Sequence, residues 1–236
     1  MRIANGETIR IIFPINRKRQ FSCPFRLKRV NILKIFLIIS AAWLLGSIPS
    51  AFIMTKIMTG KDIRTAGSGN SGATNVYRIT GLKGAIPVFL FDFLKGFIPV
   101  WMILHSETEF GISTNLLAVL SGTAAFTGHL FPVFTGFRGG KGAATGAGIF
   151  TAIFPPLFPA CAVVFITVLS ISRKVSAATI SAAVSLPVWY IVISKISGNR
   201  IETVFFAFML LIPAAVLIKH HKNIRNLINR TEKKIF

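Results

Sequence analysis

The sequence predicts an all-α integral membrane protein, a polytopic bundle of about seven transmembrane helices joined by short loops. Of its 236 residues 53% are hydrophobic, and the mean hydropathy is +0.66. Only 14% are charged, whereas a soluble domain carries roughly 25%. The net charge of +20 lies mostly in an N-terminal tail and in gaps between apolar runs, which is typical of membrane proteins. This pattern excludes a disordered chain and a nucleic-acid-binding protein.

Five spans follow directly from the length of the apolar runs. A helix needs roughly 20 apolar residues to cross a bilayer core of about 30 Å. Runs of suitable length predict spans at 35–55, 85–104, 113–131, 175–194 and 203–218.

The segment 142–172 predicts two more spans. It holds no charged residue over 31 positions, and as one helix it would be about 46 Å long, too long for one crossing. Three prolines between 155 and 159 interrupt it, and proline breaks helices. We therefore predict two short spans, 143–156 and 157–172, joined by a proline turn.

The distribution of basic residues orients these seven spans. The loops and C-terminal tail on one side hold 15 lysines and arginines, and those on the other side hold only Lys195 and Arg200. Cytoplasmic loops of membrane proteins are enriched in Lys and Arg. The richer side, with the C-terminus, is therefore expected in the cytoplasm.

Residues 1–32 are predicted to be a basic extension ahead of a membrane domain, 33–236. Nine lysines and arginines lie within 1–34, and seven spans would put them outside, against the orientation rule. Two explanations stay open: a natural start near Val30, or a disordered extension touching lipid headgroups. The long apolar run that follows argues against a cleaved signal peptide.

The first polar loop follows the first span and is rich in glycine, serine and asparagine. Gly67, Gly69 and Gly72 fit the G-x-G-x-x-G pattern, but a dinucleotide site needs a preceding strand, and a membrane span precedes this loop. Glycines still let backbone N–H groups turn toward an anion. Neutral donors and two guanidinium groups suited to phosphate accompany them: Ser68, Asn70, Thr74, Asn75, Arg64 and Arg78. The alternative is an ordinary polar turn.

The second loop carries Gly139, Gly140, Lys141 and Gly142. It resembles a phosphate-binding P-loop, but Gly142 stands where that motif has Ser or Thr, so ATP is not implied. Small residues ahead of a short helix form an anion site at the helix N-terminus, and Lys141 adds a positive charge. The alternative is a tight turn anchored at the headgroups.

The third element follows the last span. His220 and Asn223 are spaced i, i+3, so a helix would place them on one face. A histidine there is suited to act as a base near neutral pH. The alternative is a basic helix that binds anionic lipid.

Asp92 and Lys95 lie inside the second span. Charged residues at membrane depth usually face the bundle interior and are functional. At i, i+3 they can also pair with each other, so structural and catalytic roles are both open.

Together these residues resemble the bacterial acyl-phosphate:glycerol-3-phosphate acyltransferases, the PlsY family. The resemblance covers about 33–236. It rests on GSIPS (46–50), GSGNSGATN (67–75) with Arg78, GHLFPVF and FRGGKGAAT (128–145), and KHHKNIRNLINRTE (219–232). Arg230 departs from the family's usual glycine, which questions the local fold before Glu232, and His221 stands where the family often has arginine.

The resemblance implies a bundle of the bacterial inner membrane that transfers an acyl chain from acyl-phosphate to the 1-hydroxyl of glycerol 3-phosphate. Lysophosphatidic acid and phosphate would be the products, with no cofactor or metal. The implied catalytic residues are Ser68, Arg78, Lys141, His220 and Asn223. The second-loop glycines would hold acyl-phosphate, Glu232 would support the tail, and the protein would be a monomer or weak oligomer in lipid. The alternative function is a transporter or channel for a phosphorylated anion.

Overall fold

The computed structural model describes residues 31–235, so the predictions for residues 1–30 lie outside it. Ten helices and two short 3₁₀ turns (63–65 and 133–135), but no strand, occur in this part of the chain, which confirms the all-α class. The helices are α1 Ile32–Ser47, α2 Ser50–Thr59, α3 Ala73–Thr80, α4 Leu82–Leu104, α5 Thr114–Leu130, α6 Ala143–Ile153, α7 Leu157–Ser172, α8 Val175–Ile196, α9 Thr203–Lys219 and α10 His221–Ile228.

The first predicted span is not one straight helix. The chain leaves the helical conformation at Ile48, which has extended ψ of 118°, because the residue before a proline is driven out of the α region. Helix α2 then runs from Ser50 to Thr59. The residue after it, Gly60, caps the helix with φ of 71°, a conformation that suits glycine. The single run 35–55 is therefore two helices that continue to Thr59.

The predicted break in segment 142–172 is present. Helix α6 ends at Ile153, Phe154 is extended, and α7 begins at Leu157 immediately after two prolines. Within residues 31–235, four helical segments are long and apolar enough to cross a membrane, or five when the bent pair α9–α10 counts as one. Helices α6 and α7 are apolar but shorter, so the total of seven crossings stays a prediction.

Close contacts between small residues hold the bundle together. A Cβ on Gly148 of α6 would overlap the Phe93 carbonyl oxygen of α4, and one on Gly96 of α4 would overlap the Thr145 carbonyl oxygen of α6. Helices α1 and α5 meet in the same way at Gly46. Glycine allows such backbone approach, which drives helix association in lipid.

The largest apolar core lies between α5, α6 and α9. Its fully buried members include Phe126, Leu117, Ile149, Met209 and Ile212. The second polar loop lies between α5 and α6, and the third polar element follows α9. Packing of these three helices therefore fixes the positions of both elements.

Candidate active site

One cavity of about 850 Å³ brings the three polar elements together. Its polar end is lined by Ser68, Gly69, Asn70, Thr74, Arg78, Gly139, Gly140, Lys141, Gly142, His220, Asn223 and Glu232. These residues come from four separate stretches of sequence, so the bundle assembles them.

The opposite end of the cavity is apolar. It lies among α6, α7, α8 and α9, and its lining includes Phe150, Leu157, Phe158, Phe165, Ile166 and Leu186. A single cavity thus offers a cationic, hydrogen-bonding end and a hydrocarbon-like arm.

Asn75 lines the cavity and also shapes the first loop. Its side-chain oxygen accepts a hydrogen bond from the Ser68 backbone N–H at 2.8 Å, and its amide nitrogen donates to Ala66 O at 3.0 Å and Ile63 O at 3.4 Å. The side chain is 1% exposed, and both its N–H groups are used. The expectation that Asn75 binds substrate phosphate stays a prediction, although its amide N–H groups are already bound by the loop backbone. The side chain folds the loop that presents Ser68.

The two arginines of the first loop have different surroundings. Arg78 on α3 lines the cavity and makes no hydrogen bond or ion pair within residues 31–235. Arg64 instead pairs with Asp62 at 2.6 Å and lies over the Phe52 ring. The Arg64 hydrogen bond lowers the pKa of Asp62. Arg64 is not among the cavity residues, which corrects its predicted role in phosphate binding.

The second loop packs its backbone tightly around the end of α5. Gly140 N donates to His129 O at 3.2 Å, and a Cβ on Gly139 would overlap that same carbonyl oxygen. Gly142 adopts φ of 82° as the N-cap of α6, against the Phe126 ring. The three glycines therefore let the loop backbone pack against α5 at distances that a Cβ would prevent, and all three line the cavity.

Lys141 lies between these glycines and reaches across the cavity. Its ammonium group donates a hydrogen bond to the Asn223 side-chain oxygen. Burial lowers the pKa of Lys141, because a charged ammonium is costly to desolvate.

His220 stands at a 64° bend between α9 and α10. It is the N-cap of α10, three positions ahead of Asn223, and both residues line the cavity. Its Nδ1 lies 2.8 Å from Val216 O. A carbonyl oxygen only accepts, so Nδ1 carries the proton of the neutral ring and Nε2 is left to accept one. Burial lowers the pKa of His220.

Glu232 collects hydrogen bonds from two elements. Its Oε1 accepts from Ser176 Oγ at 2.6 Å and from Asn223 Nδ2 at 2.7 Å. Although burial opposes it, these bonds hold the pKa of Glu232 below its ordinary value. Ser176, at the start of α8, was not anticipated, since no motif surrounds it in the sequence.

Arg230 forms the turn that delivers Glu232. It has φ of 58°, and its N–H donates to Leu227 O while the Thr231 N–H donates to Asn226 O. These bonds form a Schellman cap, whose left-handed residue is usually glycine. The turn before Glu232 therefore forms although Arg230 stands in place of glycine, and the arginine adopts the left-handed conformation that glycine favours.

Asp92 and Lys95 form the predicted pair inside the bundle. Asp92 Oδ1 lies 2.7 Å from Lys95 Nζ and accepts from Ser50 Oγ at 2.6 Å, while Lys95 donates to Ile48 O at 3.2 Å. The pair thus connects α4 to the break between α1 and α2. His129 is a third member, with Nδ1 3.6 Å from Asp92 Oδ1.

Comparison with known proteins identifies the class. The family model described as "Glycerol-3-phosphate acyltransferase" matches residues 36–230. The glycerol-3-phosphate acyltransferase of Bacillus cytotoxicus is 38% identical over 203 residues, which cover 84% of this chain and 94% of that protein. That of Parasynechococcus marenigrum is 41% identical over 204 residues, which cover 86% and 91%.

Solved structures agree with these sequences. The crystal structure of PlsY (YgiH), an integral membrane glycerol 3-phosphate acyltransferase, is similar in its glycerol 3-phosphate form with a TM-score of 0.76 and 35% identity. The match covers 85% of this chain and 95% of that one. The lysophosphatidic acid form of PlsY gives a TM-score of 0.74 and 33% identity over the same coverage.

The fold and the comparisons define an integral membrane acyltransferase. The chain belongs to the glycerol-3-phosphate acyltransferase family, the PlsY family. The resemblance stated from the three motifs is confirmed, and the alternative of a transporter or channel is set aside because the matched relatives are named as acyltransferases.

Proposed function

We propose that this chain transfers an acyl chain from acyl-phosphate to the 1-hydroxyl of glycerol 3-phosphate, releasing lysophosphatidic acid and phosphate. The observation that carries the proposal is the single cavity with a cationic polar end and an apolar arm. The phosphates of the two substrates need a cationic surrounding and the acyl chain needs an apolar one, and this cavity offers both.

The polar end is suited to the phosphates of both substrates. Arg78 has no protein partner within residues 31–235, and Lys141 lies across the cavity from the first loop. Ser68, Asn70 and Thr74 add neutral donors, and the glycines expose backbone N–H groups. Each hydrogen bond to a charged group contributes roughly 1.5–3 kcal/mol, so losing Arg78 is expected to cost about ten- to a hundredfold in kcat/KM.

The apolar arm is suited to the acyl chain. Transfer of hydrocarbon from water is favourable by about 0.8 kcal/mol for each buried CH₂. A long chain held there would keep the carbonyl carbon of acyl-phosphate close to Lys141 and Ser68.

The chemistry needs no enzyme nucleophile. The hydroxyl oxygen of glycerol 3-phosphate attacks the acyl carbonyl carbon, the carbon–oxygen bond to phosphate breaks, and phosphate leaves with the bonding pair. The hydroxyl proton goes to Nε2 of His220 or to a phosphate oxygen of the substrate. Lys141 and loop N–H groups stabilise the oxyanion that develops.

Ser68 has a positioning role in this scheme. Its hydroxyl makes no hydrogen bond within the described residues, so no histidine is in place to activate it as Ser-His-Asp chemistry requires. Its backbone is instead held by Asn75.

The same proposal places the active site and the C-terminus at the cytoplasmic face of the bacterial inner membrane. Support comes from the excess of Lys and Arg in the loops and C-terminal tail on that side, 15 against two in the opposite loops, not counting the nine of residues 1–34. Glycerol 3-phosphate would then enter from the cytoplasm and acyl-phosphate from the bilayer, with the enzyme a monomer or weak oligomer.

A donor comparison tests the proposed reaction. Purified protein in detergent is given glycerol 3-phosphate with palmitoyl-phosphate, palmitoyl-CoA or palmitoyl-acyl carrier protein, and lysophosphatidic acid and phosphate are measured. We expect equal amounts of both products with palmitoyl-phosphate only. Product formation from palmitoyl-CoA alone would contradict the proposed donor.

A further inference from the structure

A buried polar cluster lies directly behind the polar end of the cavity. Asp92, Lys95 and His129 are 2%, 3% and 6% exposed. Asp92 and His129 line the cavity, and all three residues also line a small gap behind it with Gly139 and Gly140. An apolar trio would stabilise a bundle equally well, because a buried ion pair seldom adds net stability.

His129 is held by this cluster on one side. Its ring faces the Asp92 carboxylate, which Lys95 and Ser50 fix by hydrogen bonds. His129 Nδ1 has no hydrogen-bond partner within residues 31–235. His129 Nδ1 lies 3.6 Å from Asp92 Oδ1, so a small movement of the ring brings the two atoms within hydrogen-bond distance.

On its other side His129 contacts the glycine loop. Its carbonyl oxygen accepts the Gly140 N–H at 3.2 Å, and a Cβ on Gly140 would overlap His129 Nε2. Lys141 is the next residue, and its ammonium group binds Asn223. The position of the His129 ring therefore sets the path of the backbone that carries Lys141.

We propose that Asp92 and His129 are positioning residues for Lys141: the carboxylate orients the imidazole, and the imidazole and its carbonyl hold Gly139–Gly140 so that Lys141 points into the cavity. Lys95 holds the Asp92 carboxylate in place through their 2.7 Å contact. The inference rests on the proposed role of Lys141 in the reaction, but the arrangement of the loop can be measured without substrate.

Two conservative variants test the inference. Asp92→Asn keeps the shape of the side chain and removes its charge, and His129→Asn keeps a nitrogen near the position of Nδ1. We expect kcat to fall about ten- to a hundredfold in each, because displacement of a catalytic group by about 1 Å has such an effect. KM for glycerol 3-phosphate should stay within about twofold. Thr123→Ala is the control: Thr123 lies on α5 with His129, its hydroxyl bonds to Val119 O of the same helix, and it lines neither the cavity nor the gap behind it, so kcat should change by less than about twofold.

A double-mutant cycle separates positioning from general stability. If His129 acts through Lys141, then His129→Asn adds little to the loss caused by Lys141→Met, since contacting residues are not additive. If the two losses multiply, the inference is overturned.

Chemical labelling of Lys141 gives a readout that does not need activity. Each variant that elutes as a folded protein is treated with an amine-reactive acid anhydride, and the labelling rate at Lys141 is followed by mass spectrometry, with exposed Lys83 as internal reference. We expect Asp92→Asn and His129→Asn to change the Lys141 rate relative to Lys83 at least threefold, and Thr123→Ala to leave it unchanged. Equal rates in all variants would overturn the inference even if the acyl-phosphate reaction were confirmed. A changed rate without acyl-phosphate activity would support the inference and refute the proposed function.

Discussion

Lys141 and Asn223 lie 82 positions apart in the chain, yet the lysine ammonium group donates a hydrogen bond to the asparagine side-chain oxygen. The amide group of Asn223 in turn donates to Glu232. Lysine only donates and a carboxylate only accepts, so the orientation of this amide is fixed by its partners. Asn223 thereby joins the second loop to the C-terminal tail.

Asn223→Ala is expected to lower kcat about ten- to a hundredfold. Loss of the amide leaves Lys141 without its hydrogen-bond partner and removes one of the bonds to Glu232, which keeps the bond from Ser176. Hydrogen bonds to charged groups contribute roughly 1.5–3 kcal/mol. Steady-state kinetics with both substrates measure this effect. The control is Asn229→Ala, an exposed residue of the same type outside the cavity lining; a similar loss there would mean that the whole C-terminal segment, and not this bond, is responsible.

His220→Gln tests the choice of base. If Nε2 of His220 accepts the hydroxyl proton, turnover should fall at least about a hundredfold, and the wild-type rate should drop as pH falls through the lowered pKa of His220. That pKa lies below the ordinary 6.5, so the rate should hold to a lower pH than an unperturbed histidine would allow. Near-normal turnover of the variant would leave a substrate phosphate oxygen as the base. His105→Gln, at the far end of α4, is the control.

Stability should depend on pH through the same residue. The folded protein binds a proton at His220 less readily than the unfolded chain. The contribution of His220 to stability is therefore complete above pH 6.5 and declines as pH falls from 6.5 toward the lowered folded-state pKa. Thermal unfolding of wild type and His220→Gln across this range measures the difference. A parallel decline in both proteins would assign the effect to other groups.

Arg230→Gly should raise the free energy of unfolding by about 1 kcal/mol. A side chain other than glycine at φ of 58° costs roughly 1–2 kcal/mol, partly offset because glycine also makes the unfolded chain more flexible. The same change at Arg225, inside α10, should instead destabilise by about 1 kcal/mol. Opposite shifts of the unfolding temperature are expected, and a decrease in both would refute the left-handed assignment.

Gly148→Ala should separate α4 from α6 and lower stability by several times as much as Gly146→Ala. At Gly148 a methyl group would meet the Phe93 backbone, which cannot rotate away, whereas at Gly146 its nearest neighbour is a side-chain methyl of Ile212 at 3.4 Å. Small residues are required where helices approach closely. Unfolding in a fixed detergent compares the two, and equal effects would show that helix propensity alone decides.

The sequence predicted the helices well because apolar length and proline are local signals. The helices predicted at 157–172 and 175–194 are found almost at their predicted bounds, as α7 and α8. The break at Pro49 was not predicted, although proline was used to predict the break at Pro155. The run 35–55 has the length of a single span and contains no charge, so nothing in it indicated an interruption.

The candidate site was predicted in part. Glycine density and basic side chains pointed to the loops that line the cavity, but residue type does not say which donors are already used. Arg64 and Asn75 carry donors suited to phosphate, yet Asp62 and the backbone of the first loop occupy them. Ser176 and the contact of His129 with Asp92 depend on distant helices coming together, and a single sequence holds no trace of either.

The apolar arm of the cavity has a consequence for how the reaction rate depends on the concentration of the donor. A donor that enters along α7 and α8 is dissolved in two dimensions, so its availability is its mole fraction in the bilayer and not its amount per volume of buffer. Adding inert phospholipid at constant total donor should therefore slow the reaction by surface dilution. Under the proposed function glycerol 3-phosphate reaches Arg78 from water, so its concentration dependence should not change with added lipid.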